Sequence, residues 1–173
     1  MRFKISLYIL SLLSVLSTAT GAEEILVPES ATKRVLVPSS DIGQTWRART
    51  SYADSDWLLC SGAPGGVGYE MQSGYENRIT LDVSDRMYES GSNPNSSCYI
   101  RILFSLTSTT IENISKLTLR MRYDDGFLAY LNGVLVAQAN ASGDIVWNSI
   151  ASATHESDGQ ESFTITEFKN QLK

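Results

Sequence analysis

Residues 115–140 constrain the fold of this chain more than any other stretch. Leu117, Leu119, Met121 and Tyr123 alternate with Lys116, Thr118, Arg120 and Arg122, the two-residue period of a strand with one face in the core. Asp124-Asp125-Gly126 follows, then the apolar run 127–131, then Asn132-Gly133, then a second apolar run. Asn-Gly between apolar runs supplies the two positive φ angles of a tight hairpin. The expected local structure is a strand, an acidic turn and a β-hairpin.

The rest of the chain reads as more short strands. Ile25-Leu26-Val27-Pro28 and Val35-Leu36-Val37-Pro38 are apolar runs stopped by proline. Residues 46–52 alternate loosely, 57–60 form a short buried run, and 61–68 make an irregular loop rich in glycine. Residues 79–83 alternate cleanly, 99–106 make a strong strand, 145–147 a short one, and 163–166 a last one. Residues 167–173 suit one helical turn. About ten short strands between turn residues indicate an all-β, antiparallel sandwich or barrel. No low-complexity linker divides the chain, so a single domain is expected.

The first residues look like a targeting segment. Arg2 and Lys4 precede an apolar stretch, 5–16, too short for a comfortable membrane span, and Thr20-Gly21-Ala22 offers small residues for cleavage. Residues 1–22 are thus expected to be a signal peptide and 23–173 the exported domain, secreted or at the cell surface, with the periplasm as a further compartment. Loss of Arg2 and Lys4 takes the net charge from −5 to −7. With no basic run, neither nucleic acid nor an anionic membrane is an expected partner, and no membrane insertion is expected after cleavage.

Cys60 and Cys98 are the two cysteines. In an exported chain a pair is expected to be bridged, the alternative being two buried thiols. A bridge would close a loop of about 38 residues and contribute about 4 kcal/mol by constraining the unfolded chain. Two thiolates and the single His155 cannot complete a tetrahedral zinc shell.

The block Asp124-Asp125-Gly126-Phe127-Leu128-Ala129-Tyr130-Leu131-Asn132-Gly133 resembles the hallmark of a galactose-binding-like jelly-roll module found in large secreted bacterial proteins. Tyr99-x-Arg101-x-x-Phe104 is similar to an upstream strand of that family. Asp54-Ser55-Asp56-Trp57, Gly66-Val67-Gly68-Tyr69 and the pair Asn140 and Gly143 are similar to its loops. The resemblance covers about residues 35–173 and implies a jelly-roll β-sandwich. Leu135, Gln138 and Ser142 depart from its pattern. The family continues past the position of Leu172-Lys173 with another strand, so a sandwich lacking its last C-terminal strand is expected. Over 123–133 the chain also resembles PA14-type sugar-binding modules, whose paired aspartates look like calcium and sugar ligands.

Adjacent like charges at Asp124 and Asp125 repel, and a hard cation such as Ca²⁺ relieves that by taking oxygen ligands. The alternative is a solvated turn whose carboxylates accept backbone N–H groups. Asp54, Asp56 and Asp144 can join the site only through folding. Trp57 and Tyr69, beside the glycine-rich loop, are candidate platforms for a sugar ring; Trp46 and Trp147, on strand patterns, read as core. Arg101 is expected to form a structural ion pair, with Asp124 or Asp125 as candidate partners. No nucleophile-elbow motif fixes a catalytic set around His155, and adjacent aspartates are not the spaced pair of a glycosidase. The expected function is a non-catalytic carbohydrate-binding module with Asp124, Asp125, Trp57 and Tyr69 as ligand residues. The alternative is a structural spacer with no ligand of its own.

Overall fold

The computed structural model describes residues 10–16, 23–48, 52–71, 74–88 and 95–172. Among these the chain is β-rich. Its strands are β1 (Leu10–Leu16), β2 (Glu23–Val27), β3 (Lys33–Leu36), β4 (Leu58–Cys60), β5 (Gly66–Gly68), β6 (Ile79–Asp82), β7 (Tyr99–Arg101), β8 (Lys116–Arg122), β9 (Phe127–Leu131), β10 (Val134–Ala139) and β11 (Glu161–Thr164). They form small, unclosed sheets in the orders β11-β8-β1-β2, β4-β3-β7, β10-β9 and β5-β6. The pairings are antiparallel except that of β5 with β6, which is parallel and departs from the antiparallel expectation.

The alternation in β8 survives folding in part. Leu117, Leu119 and Met121 are buried, while Lys116 is exposed and Arg120 and Arg122 half-buried; Thr118, on the face expected to be polar, is buried as well. With Phe127, Leu131, Ile165 and Leu172 they build one core cluster. A second cluster gathers Val35, Val67, Val83 and Met87 with both cysteines around β3 to β7. Asn132 and Gly133 sit at φ 50° and 88°, and Val134 pairs directly with Leu131. That is the expected two-residue hairpin.

Several expectations are corrected. Trp46 lies in a short 3₁₀ turn, Thr45–Arg47, instead of a strand: its backbone bonds close locally, Arg47 N–H to Gln44 and Ala48 N–H to Thr45, while its ring stacks flat on Tyr99 at 4.3 Å. The 99–106 strand stops at Arg101, whose partner Arg34 is the last β3 residue to pair on that side; only Lys33 of β3 lies beyond it, and residues 102–106 run on without a strand partner. Residues 145–147 form no strand. The connection after 106 contains helix α1 (Ser108–Asn113), whose first turn is capped by the Thr107 hydroxyl accepting from Thr110 N–H. The 3₁₀ helix Thr166–Gln171 follows β11.

The Cys60–Cys98 bridge is not formed; both thiols are free and buried. The sheet order explains this. Cys60 ends β4 and Cys98 immediately precedes β7, and these strands flank β3 on opposite sides. Two strand spacings alone put about 9.5 Å between them, and the register offsets them further along β3, with Cys60 opposite Lys33 and Cys98 beyond the Leu36–Tyr99 pair, so they lie beyond the ~7 Å that a disulfide spans between Cα atoms.

The expected cleavage site after Ala22 and the basic residues Arg2 and Lys4 lie outside the described residues. The second half of the 5–16 apolar stretch, β1, pairs along all of β8 and also with β2. Among the described residues no helix is long and apolar enough to cross a membrane.

Candidate functional site

The acidic turn joins β8 to β9 and is fixed from three directions. Gly126 is needed because a Cβ there would sit 2.8 Å from the Ala139 carbonyl oxygen and 3.0 Å from that of Asn140. Asn140, itself at φ 50°, donates from Nδ2 to the Asp125 carbonyl at 2.7 Å. The Asp125 side chain is buried, and its Oδ1 accepts the His155 backbone N–H at 2.9 Å. Asp124 is half-buried.

His155 is the partner that spacing along the chain did not reveal. Its ring stacks on Tyr123 at 4.0 Å and 13°. Nδ1 lies 2.9 Å from the Tyr123 carbonyl oxygen and Nε2 lies 2.7 Å from Glu161 Oε1. A carbonyl and a carboxylate can only accept, so both contacts are satisfied together when both ring nitrogens carry protons. Burial pulls the His155 pKa down, but the Tyr123 carbonyl, Glu161 and Asp124 outweigh it and the net direction is up. The Tyr123 hydroxyl donates to the other Glu161 oxygen at 3.0 Å, and its pKa rises to about 12, through burial first and then that carboxylate.

The loop carrying His155 adds negative charge. Burial, then Asp125, Glu156 and Glu70, push the Asp124 carboxyl up to about 7, against a smaller opposing pull from His155. Burial also raises Asp125, although the His155 N–H bond opposes this. Tyr75 donates to Glu156 at 3.0 Å and to Asp158 at 3.2 Å, and Arg122 donates to the Asp158 carbonyl at 2.9 Å. These contacts hold the loop against the acidic turn.

The other candidates lie elsewhere. Trp57 is buried and packs on Trp46 and Tyr52 at 6.1 and 5.8 Å. Tyr69 is buried and tilts against Tyr88. Neither presents an open ring face. Arg101 pairs with Asp54 at 2.8 Å and donates to the Trp46 and Ala48 carbonyls, so it secures the 46–54 segment and does not reach Asp124 or Asp125. Asp56 and Asp144 are exposed. Among the described residues no group of three or more Asp, Glu, His or Cys is arranged to hold a metal ion, so the geometry gives calcium no preformed cage.

Comparison with family models, with curated proteins and with solved structures returned no match; the functional reading therefore rests on the residues of this chain.

Proposed function

We propose that this chain is the non-catalytic accessory domain of an exported protein and that it recognises glycan at the polar corner around Asp124 and Asp125. The jelly-roll sandwich belongs to the same proposal. The alternation in β8, the Asn132-Gly133 hairpin and the Asp-Asp-Gly block support it. The observation that carries the binding reading is the partly exposed Asp124 beside the buried Asp125, its carboxyl pushed up to about 7 by burial and then by Asp125 and Glu156. Sugar hydroxyls both donate and accept, and a carboxyl that keeps its proton offers both roles. Aromatic stacking by Trp57 or Tyr69 is no part of this reading, since both rings are buried. Calcium, if it takes part, would be completed by sugar oxygens and water.

The test is a glycan array with the purified domain, with and without calcium, alongside Asp124→Asn and the Asp124→Asn/Asp125→Asn pair. The wild type should retain at least one glycan class, and the folded double variant should lose it. The burial of Trp57 and Tyr69 favours a second reading, a structural spacer. A wild type that binds no glycan under either condition makes the spacer reading the better one.

A further inference from the structure

A cavity of about 810 Å³ lies between β8 and β9 on one side and the unpaired chain after β7 on the other. Its floor is apolar: Leu119, Met121, Phe127, Leu131, Ile165 and Leu172. Leu103, Phe104, Val146 and Ile150 also line it and stand exposed. Asp124 and Asp125 are not among its walls, but Gly126 of the acidic turn and Asn140 are, so the cavity abuts the inner side of that corner without including its carboxylates. Its size falls within the range of small-molecule sites.

Its polar lining is unusual. Trp46 is only 9% exposed and its Nε1 has no hydrogen-bond partner; Arg47 Nε is likewise buried and unpartnered. The Arg47 guanidinium lies over the Tyr130 ring at 4.4 Å and the Trp46 ring at 5.4 Å, and all three residues line the cavity. Arg101, on the same wall, is neutralised by Asp54. Among the described residues no carboxylate comes within ion-pair distance of Arg47. Indole N–H and guanidinium N–H groups are donors only. A matching ligand brings acceptor oxygens and negative charge at one end and an apolar body elsewhere.

We propose that this cavity binds an amphipathic organic acid of the fatty-acid class, with its carboxylate at Arg47 and Trp46 and its hydrocarbon against Leu119, Met121 and Phe127. The planar guanidinium suits a carboxylate, and the aromatic rings on either side limit competition from water.

The test is calorimetric titration of the purified chain with dodecanoate, dodecan-1-ol and dodecylammonium at monomeric concentrations, with native mass spectrometry for stoichiometry. Dodecanoate should fill a single site and bind about tenfold or more tighter than the alcohol, the scale of one charge-assisted pair; dodecylammonium should bind weakest. Arg47→Met should abolish the preference for acid over alcohol while alcohol binding persists. Trp46→Phe keeps a ring against Tyr99 and removes only the Nε1 donor, so it should reduce the preference; it decides the matter if Arg47→Met fails to fold. Equal affinity for acid and alcohol, no saturable binding to natively folded chain, or an undiminished acid preference in the folded variants overturns the proposal.

Discussion

At the scale of single residues, the lone histidine and one aspartate shift in the same direction for different reasons: burial and neighbouring carboxylates raise Asp124 against a pull from His155, while the burial that lowers His155 is outweighed by the Tyr123 carbonyl and Glu161. Asp124 and His155 both hold protons more tightly in the folded state than ordinary side chains do. The linkage sign follows for each. The contribution of Asp124 is fully present below its ordinary value of 3.8 and is lost as pH rises through about 7. That of His155 is fully present below its ordinary 6.5 and is lost at higher pH. The melting temperature should therefore fall as pH rises from about 5 to 8, the window set by these two groups. Asp124→Asn should flatten that fall and leave the variant more stable than wild type at the alkaline end. Thermal melts of both proteins across this window check it, and parallel curves would remove Asp124 as the cause. Nothing in the sequence announced this pair. The two residues are far apart along the chain, and His155 stands in a polar run with no motif around it.

At the scale of elements, β3 decides the state of the cysteines. Its central place between β4 and β7 keeps Cys60 and Cys98 on opposite flanks of one small sheet. Burial raises both thiols, Cys98 to about 12, and the thiolate that would attack an oxidant is thereby suppressed. A thiol assay without reductant should find both cysteines unreactive in the native chain and both reactive in denaturant. Loss of both thiols in denaturant, with the mass of an oxidised chain, would show a bridge. The sequence supplied an expectation of export and an even number of cysteines, which together favour pairing. It did not supply the strand order, which sets the separation. The same sheet shows why 99–106 looked like a longer strand than β7 is. Apolar content is local, but a strand also needs a partner backbone, and β3 ends its pairing at Arg101.

At the scale of the whole molecule, the N-terminal apolar segment and the sheet meet. β1 pairs with β8 through all seven residues of each, Leu10 with Arg122 at one end and Leu16 with Lys116 at the other. It is also the strand to which β2 is bonded. If export removes residues 1–22, mass spectrometry of the secreted protein should give Glu23 as its first residue. That mature chain should then show faster amide exchange in β2 and along one edge of β8 than the full-length chain does, since their backbone partner is gone. Equal protection in the two forms would mean that another strand takes the place of β1. What the sequence alone determined is local: the alternation of β8, the glycine of the Asp-Asp-Gly turn, the Asn132-Gly133 hairpin and the proline-stopped strands β2 and β3. Each follows from side-chain period or from the φ angles a short motif allows, and these act over a few residues. Tertiary structure decided the rest. It buried Trp57 and Tyr69, gave Arg101 to Asp54, set His155 against Asp125, kept the cysteines apart and left Trp46 and Arg47 unpartnered beside an apolar cavity. Those outcomes depend on which distant segments pack together, and no local period or turn rule encodes that choice.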